Sequence, residues 1–192
     1  MLRNDDAEIT RLALEARSGD RSATERFVRA TQADVWRFVA HLAGDAQLAD
    51  DLAQETFLRA LPSLARFQAR SSARTWLLSI ARRVVADHLR SVKVRPRVDG
   101  HDDWRTAAEL AQPDAGPGFA DRVALHDAVS SLDPDRGAAF VLTQALGLSY
   151  AEAAEVCDCP VGTIRSRVAR AREDLVALLR DDDRSGRERS AG

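Results

Sequence analysis

The sequence is poor in the residue types on which most enzymes and metalloproteins depend. Aromatic residues make up only 5% of the chain, and its two cysteines, Cys157 and Cys159, are separated by a single residue. Two ligands cannot complete a structural zinc site, which takes four, and a disulfide across so short a loop would be strained. We predict that both cysteines are small apolar residues at a turn, and redox sensing is the alternative.

Other chemical signatures are also missing from the sequence. It has no glycine-rich phosphate-binding loop and no Ser/His/Asp grouping, and its four histidines are far apart (His41, His88, His101 and His126). It has no apolar run long enough to cross a bilayer and no signal-peptide pattern. We therefore expect a cytoplasmic protein without enzymatic activity, metal site, cofactor or membrane insertion.

Charge is abundant but is divided among separate segments. The 192 residues carry a formal net charge of −2, and 30% of them are charged, a composition that favours a largely helical protein. Residues 66–97 contain nine basic residues and one acidic residue, whereas residues 45–55 contain four acidic residues and no basic one. Residues 99–121 contain six acidic residues and one arginine. This segregation indicates a basic surface for phosphates and acidic surfaces for another partner.

Residues 148–172 have the pattern of a helix-turn-helix. Ser149 and Glu152 have the spacing of a capping box, and small apolar residues follow them. Asp158 suits the left-handed backbone of a sharp turn, and Pro160 suits the start of a second helix. Apolar residues recur at helical spacing on one face of this second helix, and arginines occupy the other. The pattern is typical of a recognition helix that enters a DNA major groove, and a solvated basic helix face is the alternative.

Apolar periodicity and breaker residues predict two helical domains. The first domain, residues 1–97, contains predicted helices at 1–18, 21–42, 46–61 and 73–92, and Pro62 is expected to end the third of them. The second domain, residues 119–180, contains predicted helices at 120–131 and 134–146 followed by the helix-turn-helix. Between them, residues 98–118 are predicted to form a disordered acidic linker, and residues 181–192 a frayed polar tail.

The predicted fold class is therefore all-α, with two small helical domains joined by a flexible acidic linker. When the protein is free, these domains either pack together and cover their DNA-binding faces or move independently.

Three segments, in this order, resemble the extracytoplasmic-function (group IV) sigma factors of bacterial RNA polymerase. Residues 49–61 (ADDLAQETFLRAL) are similar to the segment that binds core polymerase. Residues 67–90 (FQARSSARTWLLSIARRVVADHLR) are similar to the strand-opening and −10 reading segment, and residues 148–173 (LSYAEAAEVCDCPVGTIRSRVARARE) to the −35 reading unit. The resemblance implies an initiation subunit that binds core RNA polymerase and promoter DNA, single-stranded at the −10 element and duplex at the −35 element.

The resemblance assigns an acidic helix face to polymerase binding. The residues that would meet the basic clamp helices of the polymerase are Asp50, Asp51, Gln54 and Glu55. A solvated helix face is the alternative interpretation. The acidic linker resembles a segment that passes through the active-site and RNA-exit channel, where its negative charge would imitate RNA.

The resemblance also implies the contacts with the −10 element. Capturing an unstacked base takes a pocket for the base and cations for the phosphates of the single strand. Trp76 is interpreted either as a base-stacking residue or as a core residue. Arg83 stands where many family members have Asn, and because Arg favours phosphates or guanine whereas Asn favours adenine, the −10 preference of the family does not carry over. The matched residues are Arg66, Phe67, Arg70, Trp76, Arg83, Ala86, Asp87 and Arg90.

The matched residues of the −35 recognition helix are Thr163, Arg165, Ser166, Arg167, Arg170 and Arg172. Arg165 and Arg167 are predicted to contact base edges, and Arg170 and Arg172 to contact phosphates. The resemblance also makes an anti-sigma factor a candidate partner. The competing function is a stand-alone helix-turn-helix regulator that binds DNA without polymerase. That function leaves the acidic helix and the basic stripe of the first domain without a role.

Overall fold

The structure, a computed structural model, describes residues 2–93 and 128–190, and the side chains of residues 6–92 and 128–178. A first bundle contains α1 (Leu2–Arg17), α2 (Arg21–Ala43), α3 (Ala46–Ser63), a 3-10 turn (Leu64–Arg66) and α4 (Ala73–Lys93). A second bundle contains α5 (Pro134–Phe140), a π-helical turn (Val141–Ala145), α6 (Tyr150–Cys157) and α7 (Val161–Ser190). The predicted all-α class is confirmed. The predicted linker lies outside the described residues, as does most of the predicted helix at 120–131, of which residues 128–130 are helical.

Aspartates begin several of these helices, because a side-chain oxygen satisfies the backbone N–H groups that have no partner at a helix start. Asp20 accepts a hydrogen bond from the backbone N of Ala23 at 3.1 Å, and Asp45 accepts one from the backbone N of Gln47 at 2.9 Å. In the second bundle, Asp133 accepts from the backbone N of Asp135 at 3.1 Å. This last cap confirms the predicted helix start at residues 133–134.

The prediction that Pro62 ends the third helix is wrong. Helix α3 continues through Pro62 to Ser63 and then tightens into the 3-10 turn. A proline in a helix removes the bond from its own nitrogen to the carbonyl four residues earlier. Here that carbonyl belongs to Leu58, and both Leu58 and Pro62 are exposed, so water can take the place of the missing donor.

The tail also differs from its prediction. Residues 181–190 continue α7 as helix, whereas the polar composition led us to expect a frayed segment. The stretch contains no proline, the residue that most strongly ends a helix, and the helix continues through its single glycine, Gly186.

The two bundles share buried apolar packing. One cluster of buried side chains extends from α1 through α4 into the second bundle. Its fully buried members include Phe27, Phe38, Leu77 and Leu78 in the first bundle, and Leu142, Leu146, Ile164 and Val168 in the second. Helix α4 packs directly on α6, the first helix of the helix-turn-helix. The bundles therefore pack together, as in one of the two arrangements left open by the sequence, but most of the arginines predicted to bind DNA stay exposed, so the expected covering of the DNA-binding faces is not found.

The two bundles come close together at Gly137. A Cβ added to Gly137 would lie 2.6 Å from Nε2 of His41, so only a glycine lets α5 come this near to α2 without moving the imidazole. The guanidinium of Arg74 on α4 is also buried between the bundles, with Asp34 of α2 at 2.7 Å from its Nε.

Candidate polymerase and nucleic-acid interfaces

The helix-turn-helix is built as its sequence predicted. Ser149 Oγ accepts a hydrogen bond from the backbone N of Glu152 at 3.2 Å, and Glu152 Oε2 accepts one from the backbone N of Ser149 at 2.9 Å. Asp158 then ends α6 in the left-handed conformation, with φ of 52°. The capping box fixes the start of α6 and Asp158 fixes its end, so the turn sets the direction in which α7 leaves.

Both cysteines of this turn take part in packing. Cys157 is buried in the shared apolar cluster, and Cys159 is half-buried against it. Burial raises the pKa of the Cys157 thiol to about 11, so this thiol stays protonated at neutral pH. These positions confirm the prediction that the cysteines act as small apolar residues at the turn.

Most of the predicted −35 residues of α7 lie at the surface, and two of the arginines, Arg167 and Arg172, have side-chain partners within the protein. Arg165, Ser166 and Arg170 are exposed, and Thr163 is half-buried. Arg172 is exposed as well, but its Nη2 donates to the side-chain oxygen of Gln144 at 2.8 Å.

Arg167 differs from its neighbours on α7. Its side chain is 22% exposed, and its guanidinium forms an ion pair with Asp135 on α5. The guanidinium also lies 3.7 Å from the sulfur of Cys159. The sequence placed Arg167 among the base-contacting residues, and the structure shows that it also joins α7 to α5.

The connection between the 3-10 turn and α4, residues 67–72, is called here the −10 loop. Its first residue, Phe67, is buried, and the ring centroids of Phe67 and Trp76 are 5.1 Å apart at an angle of 48°. Phe67 therefore lies beneath Trp76, which is half-buried, rather than at the surface. Arg70 is exposed within the loop and Arg66 just before it, and Ala69 adopts a left-handed conformation with φ of 52°.

The predicted −10 residues of α4 form one exposed stripe containing Arg83, Ala86, Asp87 and Arg90. Asp87 accepts hydrogen bonds from Arg90 at 2.7 Å and from Arg59 of α3 at 2.8 Å. Arg59 was not predicted, although it lies at the surface between the acidic face of α3 and the basic stripe of α4. Its hydrogen bonds to Glu55 and Asp87 raise the pKa of its guanidinium above the usual value for arginine.

The predicted polymerase-binding residues lie on the exposed side of α3. Asp51 and Gln54 are exposed, and Glu55 accepts a hydrogen bond from Arg59 Nε at 2.6 Å. Asp50 accepts a hydrogen bond from Trp36 Nε1 at 2.7 Å. The acidic side chains therefore remain at the surface, with partners that orient two of them.

Sequence reasoning missed an apolar residue on this side of α3. Leu58 is 61% exposed, the most exposed large apolar side chain among the described residues. It lies four residues after Gln54, a spacing that puts both on one side of the helix. The periodicity of α3 contained this signal, because Leu58 falls outside the stripe of residues that the core buries.

Packing of the bundles leaves these surfaces uncovered. The exposed arginines of the −10 loop, α4 and α7 retain their exposure although α4 packs on α6. The contact between the bundles therefore uses other residues of α4, including the buried Arg74.

A helix-turn-helix with exposed arginines, combined with a bundle that carries an acidic helix face and a basic stripe, defines a subunit that joins DNA to a second macromolecule. The chain matches the family model for sigma-70 region 2 over residues 27–95 and that for sigma-70 region 4 over residues 122–175. The chain belongs to the extracytoplasmic-function (ECF) RNA polymerase sigma factors. It therefore binds core RNA polymerase and promoter DNA and directs transcription initiation.

Its relatives include two mycobacterial proteins. The chain is 52% identical over 193 residues to the probable RNA polymerase sigma-C factor of Mycobacterium bovis and to the ECF RNA polymerase sigma factor SigC of Mycobacterium tuberculosis. Each alignment covers 95% of this chain and 97% of the relative. It is also 39% identical over 142 residues to the ECF sigma factor EcfG of Rhodopseudomonas palustris, covering 74% of this chain and 77% of EcfG.

Two solved structures share the fold. The sigma factor RpoE of Bartonella quintana, crystallised with the anti-sigma factor NepR, is 27% identical with a TM-score of 0.68, and the match covers 82% of this chain and 96% of RpoE. CnrH, in complex with the cytosolic domain of CnrY, is 26% identical with a TM-score of 0.69, and the match covers 91% of this chain and 99% of CnrH. In the part of the chain that the structure describes, no helix is both long and apolar enough to cross a membrane.

Proposed function

We propose that this sigma factor divides its work among three surfaces. The exposed side of α3 binds a basic surface of core polymerase. Its contact residues are Asp50, Asp51, Gln54, Glu55 and Leu58, and the hydrogen bond from Trp36 orients Asp50. The −10 loop and the α4 stripe hold the single-stranded −10 element. The exposed arginines of α7 read the duplex −35 element. The observation that carries this proposal is the placement of acidic and basic side chains on separate exposed helix faces.

The chemistry of each surface supports its role. Carboxylates around an exposed leucine suit a partner that offers both cations and an apolar contact. Arg66, Arg70, Arg83 and Arg90 supply cations for the phosphates of a single strand, and Trp76 supplies the aromatic ring on which a base can stack. Arg165 belongs to a second helix of the kind that enters a major groove, where a guanidinium group recognises guanine, and the exposed Arg170 of the same helix supplies a cation for a phosphate.

We also propose two domains of function, residues 1–97 and residues 119–180, which act in the cytoplasm and carry no catalytic chemistry of their own. The complexes of the related RpoE and CnrH support an anti-sigma factor as a further partner of this chain. Such a partner would bind by covering one or more of the three surfaces.

Charge reversal on α3 tests the proposal. The double variant Asp51→Lys/Glu55→Lys should lose binding to core polymerase, because it places two cations where the polymerase surface is basic. The control variant Glu25→Lys/Glu155→Lys changes the net charge by the same amount at exposed positions outside this surface. Both variants should keep the helicity of the wild type by circular dichroism.

Pull-down with core polymerase and run-off transcription provide the measurements. Full core binding by the α3 variant would contradict the assigned surface. Tight, sequence-specific binding of the −35 duplex by the wild type without polymerase would instead favour the stand-alone regulator.

A further inference from the structure

We propose that α1 positions the −10 loop for strand capture, through Arg17 at the first residue of the loop and Thr10 immediately after its last. The inference rests on the proposed role of the −10 loop. It adds two residues, Arg17 and Thr10, that lie outside the loop. The match to sigma-70 region 2 begins at residue 27, after α1 has ended, so the family match assigns no role to this helix.

The first contact holds the start of the loop. Arg17, in the last turn of α1, donates a hydrogen bond from Nη1 to the backbone carbonyl of Phe67 at 3.0 Å. A charged donor makes a stronger hydrogen bond to a carbonyl than a neutral one does. The contact fixes the backbone of Phe67, whose ring lies beneath Trp76, and therefore also influences where the aromatic pair sits.

The second contact holds the end of the loop. The backbone N of Ala73, the first residue of α4, donates to Thr10 Oγ1 at 3.0 Å. Thr10 Oγ1 in turn donates to the backbone carbonyl of Asp6 at 2.8 Å, which sets the orientation of the hydroxyl. The first N–H groups of a helix have no partner within it, and here α1 provides one of the missing acceptors for α4. Ala73 is fully buried, so water cannot replace Thr10.

Between these two contacts the loop is exposed. Gln68, Ala69 and Arg70 form its exposed middle, and Ala69 adopts the left-handed conformation that alanine rarely takes. A loop whose ends are already fixed loses less conformational entropy when it closes around a base than a loop that must first become ordered. Two fixed ends and an exposed centre are what the capture of an extruded base requires.

These contacts are not needed to hold α1 in the fold. Ile9, Leu12, Ala13 and Ala16 pack α1 into the core by its apolar face. Arg17, by contrast, is exposed, and its described hydrogen bond goes to the loop. Removing the Arg17 guanidinium should therefore leave the bundle folded and change the loop alone.

The test compares Arg17→Gln and Thr10→Val with Thr10→Ser, which keeps the hydroxyl. Arg11→Gln is the matched control, since Arg11 is an arginine of the same helix that pairs with Glu8 and Glu15. Each variant is assembled with core polymerase into holoenzyme. The probes are a fluorescent single strand carrying the −10 element of a promoter that the wild-type holoenzyme transcribes, a scrambled strand, and the −35 duplex of the same promoter.

Arg17→Gln and Thr10→Val should each weaken binding of the −10 strand by about three- to tenfold, because the strand must then order a loop that these internal hydrogen bonds had ordered beforehand, at a cost comparable to one hydrogen bond. Core affinity, −35 binding and the thermal midpoint of Arg17→Gln should equal those of Arg11→Gln and the wild type. Thr10→Ser should restore most of the binding lost in Thr10→Val. A merely structural role would lower the thermal midpoint and all three binding affinities together.

Unchanged binding of the −10 strand by Arg17→Gln would overturn the inference, and because Arg17 is exposed this variant decides the question even if Thr10→Val is unstable. A wild-type holoenzyme that does not prefer the −10 strand over the scrambled strand would overturn the proposed role of the loop, and this inference with it. A wild-type preference that Arg17→Gln retains would overturn the inference alone.

Discussion

Arg74 and Leu146 are joined across the two bundles by a hydrogen bond of 2.7 Å, from the guanidinium of Arg74 on α4 to the backbone carbonyl of Leu146 before α6. The same guanidinium pairs with Asp34 and lies 3.5 Å from a carboxylate oxygen of Asp6. One buried cation therefore holds α1, α2 and α4 in a fixed relation to the helix-turn-helix.

Arg74→Met should destabilise the protein by about 3 kcal/mol, the lower end of the range for broken buried ion pairs, because the carboxylates of Asp34 and Asp6 that lose this cation are only half-buried. Urea unfolding followed by circular dichroism measures the change. Arg83→Met, on the exposed face of the same helix, should alter stability by no more than about 0.5 kcal/mol. Adding Asp34→Asn to Arg74→Met should recover part of the loss, since it removes one of the uncompensated charges. Equal stability of the two single variants would show that the buried ion pair is not formed.

Alanine substitutions should distinguish Arg165, which is exposed and predicted to contact a base, from Arg167, which pairs with Asp135. Arg165→Ala should cost about 1–3 kcal/mol of −35 binding and relax sequence preference at one base pair, as expected for a base contact. The measurement is holoenzyme binding to a set of −35 duplexes with single substitutions. An equal loss on every duplex would instead identify Arg165 as a phosphate contact.

Arg167 should behave differently because it pairs with Asp135. In a double-mutant cycle with Arg167→Ala and Asp135→Ala, the two changes should be coupled by up to about 1 kcal/mol of folding stability, the range of partly exposed ion pairs. Thermal unfolding of the four proteins gives the coupling. Additive effects on stability would contradict a working ion pair and leave Arg167 available for DNA.

Leu58→Ser should weaken binding to core polymerase if the leucine is buried in the complex. Burial of one such side chain contributes about 1.5–3 kcal/mol when it is complete, and Leu58 is already partly covered, so we expect a loss near the lower value. Competition with unlabelled sigma factor for core polymerase measures the change. Val176→Ser is the control, an exposed apolar residue on α7, and should bind core like the wild type. Wild-type affinity of Leu58→Ser would place the leucine outside the interface.

The stability of the protein should fall more steeply above pH 9 than that of Cys157→Ala. Burial raises the pKa of the Cys157 thiol from 9.0 to about 11, so between these values the unfolded chain releases a proton that the folded chain keeps. The unfolded state then gains free energy, and stability that is complete below pH 9 is lost as the pH rises, by about 3 kcal/mol for two pKa units.

Denaturant unfolding of both proteins at several pH values isolates this contribution, because every other titrating group is common to the two. In the folded Cys159→Ser variant, which leaves Cys157 as the single thiol, thiolate absorbance appearing near pH 9 would contradict the raised pKa.

Local features of this structure were predictable from the sequence, whereas contacts between distant residues were not. The capping box at Ser149 and Glu152 and the turn at Asp158 depend on neighbours in sequence, and the structure confirms both. The helices of the first bundle follow from apolar periodicity for the same reason. Pro62 was misjudged because its effect depends on whether the carbonyl it leaves unpaired faces solvent.

The contacts between residues far apart in the sequence could not be predicted from local sequence patterns. Arg74 reaches Leu146, 72 positions away, and Arg167 reaches Asp135, 32 positions away. Counting charges along the chain identified the arginine-rich segments but could not say which guanidinium turns inward. Likewise, the hydrogen bonds from Arg17 and Thr10 depend on how α1 lies against the −10 loop, which sequence periodicity does not specify.

The shared apolar cluster limits which segments of this protein can be exchanged with those of another sigma factor. A chimaera that took residues 1–97 from one ECF sigma factor and the remainder from another would bring together two surfaces shaped for other partners. A residue larger than glycine at 137 would force the imidazole of His41 to move, and an uncharged side chain in place of Arg74 would leave the carboxylate of Asp34 without this cation. A chimaera designed to change promoter specificity should therefore take the residues that line this junction from the same sigma factor as the DNA-binding segment.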